Sequence, residues 1–596
     1  MNNQTKIIVY SLLVSAVISS SFHPVEAQAQ IPQQSIRWDK HSLIFDGKRV
    51  VPVMGEVHYS RIPQNEWREE VRKMKEGGVT MIAAYVFWNH VEEVEGVFNW
   101  SGQRNLSGFL EVCKQEEMPV VLRLGPFCHG EVRNGGIPDW MFTKGCKMRE
   151  ENTTFLKYTT ELYRQIYSQV QGLQWKDGGP VVAAQFDNEY RGRGSYLMAL
   201  KKIAQQIGFD LPFYTRTGWS ELKTPVPFGE MVPLYGDYAD GFWERSLKET
   251  AGNYYKAFNF KAFRSSTAIA TEQLGKQEAK INKGDEAYPY FTCELGGGMM
   301  TSYHRRPYIY PEDAYSLAIV KLGSGSNLLG YYMYHGGTNP TAMMPGDLDD
   351  GSAVYLNENQ RTQATNYNDM PVKTYDFQAP LGEFGQKNPH YFMLRKLHLF
   401  MHDYAEVLAP MEASFPCCQD IEKGDDSHLR WSLRSKDKSG FVFINNYERL
   451  QQLSARKNVQ FEVCGVKFPQ RPMTVPAGAM FIFPVNIDGI RYATAQLIAK
   501  RDGKIYLEQI KGIPTEIAVD GKVLKNVKAK GIAKPVYKNI YLVDSKTAEH
   551  LFLQKEGISV EQKNGSVKSQ TSKSKKMVPM MSLAPSFKKI KEAESV

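Results

Sequence analysis

VVAAQFDNEY, residues 181–190, decides how this chain is read. It opens as an apolar, β-branched run, the pattern of a buried strand. It then ends abruptly in Gln185, Asp187, Asn188, Glu189 and Tyr190. Acids packed against an apolar body are costly unless they are paired or used. The C-terminal end of a barrel strand is where catalytic side chains sit. The plainer alternative is a strand running into a polar loop, and the rest of the chain decides between the two.

Seven further apolar runs share this form: 51–59, 79–88, 119–126, 211–219, 231–238, 288–295 and 327–335. Between them lie amphipathic segments at 64–76, 102–117, 153–170, 194–207 and 311–322, with apolar residues at helical spacing. Strand and helix alternating over about 300 residues imply a parallel sheet, and eight such units a closed (β/α)₈ barrel. Asp46-Gly47 reads as a hairpin turn in a short lead-in. No glycine-rich phosphate loop opens a helix, so a dinucleotide or P-loop fold has no support. After Pro410 the helical pattern gives way to short β-like runs at 429–433, 440–446, 459–468, 479–485, 504–507, 516–519 and 539–543. The expected organisation is a leader over 1–29, an α/β barrel over 30–405, one or two small β-rich domains over 406–555, and a polar basic tail over 556–596.

The leader follows from Lys6, the apolar run 7–18 and Val25-Glu26-Ala27-Gln28-Ala29, a charged region, a short apolar core and a small-residue cleavage site. The mature chain is expected to start near Gln28 or Gln30 and to be periplasmic or extracellular. No cysteine near the cleavage site marks a lipid anchor, and no later run reaches ~18 uninterrupted apolar residues. The net charge of +9 is concentrated in the tail, where Lys563–Lys591 is strongly basic, and no nucleic-acid-reading motif accompanies it. Seven cysteines leave at least one unpaired in a monomer, and their spacing matches neither a zinc site nor a disulfide scaffold.

The chemistry lies at the strand ends. The fourth run ends in Asn188-Glu189 and the seventh in Glu294, so both glutamates would project into one barrel mouth. Two carboxyls roughly 5–5.5 Å apart are what retaining glycoside hydrolysis requires. Glu56, His58, His129 and His335 also fall at strand ends and suggest a metal-dependent hydrolase, but no H-x-H pair stands on the first strand, and the glutamate pair needs no metal.

At this point the chain resembles glycoside hydrolase family 35, the β-galactosidase family, over about residues 36–400. Gln185–Tyr190 is similar to the family's Q-x-E-N-E-Y, with Asp187 where Glu is usual. Tyr332-Met333-Tyr334-His335-Gly336-Gly337-Thr338-Asn339 is similar almost letter for letter to Y-M-F-H-G-G-T-N. Tyr85, Asn89 and Glu92 match the strand-two motif, with Val91 where His is usual. The run 211–219 resembles strand five, ending in Gly218-Trp219. The resemblance implies Glu189 as general acid/base, Glu294 as nucleophile, and Tyr85, Glu131, Asn188 and Tyr332 as sugar contacts, with no metal or cofactor. Two stretches depart from the pattern. Phe127-Cys128-His129-Gly130 precedes Glu131, and Cys293 with Gly296-Gly297-Gly298 flanks Glu294. The implied activity is that of an exported retaining exo-β-galactosidase acting on β-galactoside-containing oligo- or polysaccharides. An exo-β-glycosidase for another sugar and an inactive carbohydrate-binding barrel are the alternatives.

Overall fold

The computed structural model describes residues 35–218, 226–243, 252–266, 287–342, 370–416 and 421–554, with Leu356 and two strand segments at 557–561 and 567–569. The leader, Trp219, Cys417, Cys418 and most of the basic tail lie outside these residues.

Among the described residues, eight parallel strands close into a barrel: β1 (Val53–Glu56), β2 (Met81–Tyr85), β3 (Val120–Gly125), β4 (Val181–Phe186), β5 (Phe213–Gly218), β6 (Val232–Asp237), β7 (Thr292–Gly296) and β8 (Leu329–Tyr332). They pair in chain order, and β8 closes on β1 through Leu329 opposite Val53. Each lies in one of the eight apolar runs, β7 extending one residue past its run to Gly296. The runs are continuous rather than alternating because strands of a helix-covered parallel sheet are buried on both faces. The helical pattern also becomes real: α1 (Trp67–Glu76), α2 (Leu106–Gln115), α3 (Thr153–Val170), α4 (Gly194–Ile207) and α5 (Pro311–Gly323) pack outside, followed by α6 (Pro389–Asp403). Asn105 and Asn152 cap α2 and α3 by accepting from backbone amides one turn in, each cap contributing about 1 kcal/mol. Between β6 and β7 the described residues hold a 3₁₀ segment, Gly252–Phe258, rather than a regular helix.

The lower barrel is filled by Met54, Met81, Ala83, Val121, Ala183, Leu234 and Phe291. A three-stranded antiparallel sheet, Ile36–Trp38, Leu43–Phe45 and Lys48–Val50, packs on it through Trp38 and Phe45. Asp46 and Gly47 make its tight turn with φ of 47° and 85°, as a two-residue hairpin demands.

Beyond α6, seven strands form one antiparallel sheet running from Glu412–Ser414 at one edge to Lys522–Leu524 at the other. A long hairpin, Arg456–Val463 with Val466–Val475, and a three-stranded sheet accompany it. Each β-like run after Pro410 overlaps one of these strands, except that 459–468 spans both strands of the long hairpin and its turn; Ile490–Ala493 and Gln496–Arg501 add strands the pattern did not signal. Two further strands lie within the expected polar basic tail over 556–596. Gly557–Glu561 pairs with Leu551–Gln554 and with Val567–Ser569, an alternation visible in Ile558 and Val560. No described helix is long and apolar enough to cross a membrane. Of the described cysteines, Cys113, Cys128 and Cys293 are buried, and Cys146 and Cys464 half-buried, all as free thiols.

The two parts share one core: Leu317 of α5 and Leu397 and Phe400 of α6 belong to the same buried cluster as Phe441, Phe443 and Ile482. Arg434, fully buried in the strand Trp431–Lys436, fastens them. Its guanidinium donates to the carbonyls of Leu322, Ser326, Leu408 and Met411 and to Asn327 Oδ1, at 2.7–3.3 Å. Arg434→Met would leave these oxygens without their donor. Each buried orphan costs about 1–3 kcal/mol, so the expected result is a clear fall in the denaturation midpoint with the far-UV circular dichroism unchanged. A midpoint within error of wild type would contradict this reading of the joint.

Candidate active site

The C-terminal mouth of the barrel holds a cavity of about 660 Å³. All six residues singled out from the sequence line it: Tyr85 from β2, Glu131 from the loop after β3, Asn188 and Glu189 from the end of β4, Glu294 from β7 and Tyr332 from β8. Glu294 is buried and Glu189 half-buried.

A side chain in the middle of β3 organises the floor. Arg123 is 1% exposed and donates through Nη1 to Glu56 Oε2 at 2.9 Å and through Nη2 to Asn188 Oδ1 at 2.9 Å. Nη2 also lies 3.4 Å from Glu294 Oε1, and the guanidinium rests 3.8 Å over the Tyr85 ring. A buried cation is tolerated only when paired, and here it is paired with residues from β1, β4 and β7 at once. Arg123 thereby fixes the orientation of the Asn188 amide.

Burial, then the charge of Glu189, pushes the Glu294 carboxyl above the ordinary carboxylate range, with Arg123 pulling the other way. On β6, Gly236 makes room for this residue: a Cβ there would meet Glu294 Cβ at 2.9 Å.

The loops after β3 and β4 carry backbone strain. His129, Glu131, Asp187 and Glu189 all have φ between 44° and 56°, a region that side-chain-bearing residues seldom adopt and that clusters at working sites. Local bonds hold them there. Asp187, fully buried, accepts from Arg149 at 2.6 Å, Tyr196 at 3.2 Å and the Asn188 amide at 2.8 Å, while Arg149 also donates to the Asn188 carbonyl at 2.7 Å. Asp187 therefore fastens the loop that presents Glu189.

Glu131 is held by three side chains. Tyr332 and Tyr375 both donate to its Oε2, Tyr332 at 3.1 Å, and His129 Nδ1 lies 3.3 Å from Oε1. Burial works to raise this carboxyl, but the contacts with His129, Tyr375 and Arg61 prevail and hold it below its usual range. Arg61 lies 3.7 Å over the Tyr375 ring. Tyr375→Phe removes one bond to a buried carboxylate, worth about 1.5–3 kcal/mol. If Glu131 grips the sugar, KM should rise on the order of tenfold or more with little change in kcat; an unchanged KM would remove Tyr375 from the site.

Several sequence-level candidates take other roles. Among the described residues no group of three or more His, Cys, Asp or Glu is arranged to hold a metal ion. Glu56 pairs with Arg123, and His335 lies 2.8 Å from Glu70. Burial, then the charges of Arg61 and Arg123, drives the His58 pKa well down, so its imidazole is neutral. Asn89 donates to the Arg133 carbonyl in the loop after β3 at 3.4 Å, and Glu92 accepts from the Trp88 indole at 2.6 Å and the Gly96 amide at 2.8 Å. In the run 332–339, Tyr332 reaches the cavity, and the remainder is largely framework. Asn339 accepts from Arg61 Nε at 2.8 Å, and a Cβ on Gly337 would meet Arg61 Cβ at 2.7 Å. The Tyr332–Met333 peptide is cis. Arg123, Tyr375 and the aromatic wall of Tyr238, Phe242 and Trp243 were not anticipated. A lone arginine inside an apolar strand was the available signal for the first.

A strained, acid-lined mouth on a closed parallel barrel has the build of a carbohydrate-active hydrolase. The profile of glycosyl hydrolases family 35 matches residues 42–401, more than half of the chain, and the chain belongs to that family. It is similar to "Beta-galactosidase 11" of Arabidopsis thaliana, 25% identical over 484 residues, covering 80% of this chain and 48% of that protein. It is also similar to "Beta-galactosidase 11" of Oryza sativa subsp. japonica, 27% identical over 374 residues, covering 61% and 37%. The chain thus spans less than half the length of these relatives. Among solved structures, the β-D-glucuronidase of Dictyoglomus thermophilum matches 61% of this chain and 53% of its own at 11% identity and a TM-score of 0.37, a likeness too slight to carry an argument.

Proposed function

We propose that this chain is an exported retaining exo-β-galactosidase that removes terminal β-D-galactosyl residues from oligo- or polysaccharides. The observation that carries the reading is the convergence of Glu189 and Glu294 on one cavity, with Arg123 against Glu294. Family membership and the β-galactosidase names of the relatives supply the sugar.

In this mechanism Glu189 enters as the acid; carrying its proton it no longer repels Glu294, whose carboxylate the guanidinium of Arg123 favours. Glu294 attacks the anomeric carbon as the glycosidic C–O bond breaks, and Glu189 delivers its proton to the departing oxygen. Glu189, now a carboxylate, takes a proton from water. The water oxygen bonds to the anomeric carbon, Glu294 is released, and both groups return to their starting states. Asn188 and Glu131 are the hydroxyl contacts.

A panel of nitrophenyl glycosides tests the sugar. The β-galactoside is expected to be hydrolysed best. The contact of His129 with Glu131 favours one second reading, an exo-β-glycosidase for a sugar differing at the edge Glu131 touches, and preference for another β-glycoside would establish it. Galactose binding without hydrolysis of any glycoside would leave a carbohydrate-binding barrel. Export is supported by the pattern of residues 6–29: the mature protein recovered outside the cytoplasm should begin near Gln28 or Gln30, and a chain retained inside with Met1 intact would overturn it.

A further inference from the structure

The β-rich part does more than lean on the barrel. The loop between its strands Ser439–Asn445 and Arg456–Val463 sends Arg449, 4% exposed, into the barrel's upper rim. There it meets Asp240, from the loop leaving β6, at 3.2 Å and Asp313, near the start of α5, at 2.5 Å, and it donates to the Tyr308 carbonyl at 2.9 Å. Asp240 is held from its other side by Arg305, from the loop after β7, at 2.6 Å, and accepts from the Gly241 amide at 2.8 Å. Tyr447 donates to Asp313 at 2.7 Å. Two buried acids and two buried arginines thus balance one another where three segments of the barrel rim and one loop of the β-rich part meet.

What this knot holds matters to the cavity. The loop that Asp240 anchors continues into Phe242 and Trp243, which line the cavity with Tyr238. The Ser302 hydroxyl donates to the Phe242 carbonyl at 3.2 Å and accepts from the Arg305 amide at 3.0 Å, so the same contacts fix the backbone of the wall. Trp243 meets the Tyr238 and Phe242 rings edge-on, with centroids 5.6 and 5.0 Å away. A flat indole on a sugar cavity is a stacking surface, and its usefulness depends on its tilt.

We propose that Arg449 is a positioning residue for substrate binding: through Asp240 it sets the Trp243 wall, so the β-rich part contributes to how tightly the sugar is held. This rests on the β-galactosidase reading only for the choice of substrate. The test uses the full-length protein. With nitrophenyl β-galactoside, Arg449→Met should raise KM on the order of tenfold, short of the hundredfold a 1 Å misplacement can cost, while kcat stays within about twofold. Trp243→Ala should do the same, and the double variant should lose no more than either alone, as coupled positions do. Asp240→Asn keeps the shape of the knot and should show the same split if Arg449→Met does not fold. Independently, in protein labelled with 5-fluorotryptophan, the Trp243 fluorine resonance, identified by its absence in Trp243→Phe, should shift in Arg449→Met or Asp240→Asn. An unmoved resonance, or KM losses that simply add, would overturn the proposal. If wild type hydrolyses no glycoside, the functional reading fails and the fluorine resonance alone decides the positioning role.

Discussion

Glu294→Gln is expected to lower kcat on the order of 10⁴-fold or more, as removal of a covalent nucleophile does, with the fold intact by circular dichroism. Loss of a buried structural carboxylate would not single out kcat in this way. The same substitution carries a second expectation with the opposite sign for stability. Burial, then the charge of Glu189, raises the Glu294 carboxyl above its ordinary value. The native chain therefore holds that proton more tightly than the unfolded chain does. The stability this confers is fully present below the ordinary glutamate pKa of about 4.3 and is lost as pH rises from there through the raised native value. Glutamine has no proton to lose. The variant should match wild type near pH 4 and exceed it in thermal midpoint at neutral pH and above. A variant less stable than wild type at every pH would mean that Arg123 depends on this charge more than the charge suffers from burial.

Glu189→Ala is expected to cost about 10²–10⁴-fold, the usual contribution of a general acid, and the loss should depend on the leaving group. A nitrophenolate departs readily without help, whereas a sugar oxygen needs the proton. The deficit should therefore be smallest with nitrophenyl galactoside and largest with galactosyl disaccharides. A loss equal for all leaving groups would assign Glu189 some role other than proton donation.

The barrel was legible because its strands are buried on both faces and so appear as bare apolar runs that end in polar clusters. The same logic placed Glu189, Asn188 and Glu294 at strand ends, and all three line the cavity. The roles of neighbouring acids were less legible. Asp187 looks as prominent as Glu189 in the sequence, yet it is buried under Arg149 and Tyr196 and fastens the loop. Glu56 was readable as a metal ligand, but it is the counter-charge of Arg123. Arg123 itself sits in a run, PVVLRLGP, whose apolar character conceals a buried cation that must have partners. Tyr375 and Arg449 reach the site or its wall from about 245 and 155 residues beyond Glu131 and Glu294. No local pattern encodes such contacts, since they arise only when loops of the closed barrel and the β-rich part meet.

The central claim, that Glu294 is the nucleophile of a retaining reaction and Glu189 its acid partner, is tested most directly by trapping the intermediate. Incubation with a 2-deoxy-2-fluoro-β-galactoside bearing a good leaving group slows both steps and lets the glycosyl-enzyme accumulate. Peptide mass spectrometry should then find one fluorogalactosyl group on the peptide carrying Glu294, and on no peptide from Glu294→Gln. A label on another carboxylate, or turnover with inversion at the anomeric carbon and no covalent adduct, would contradict the account.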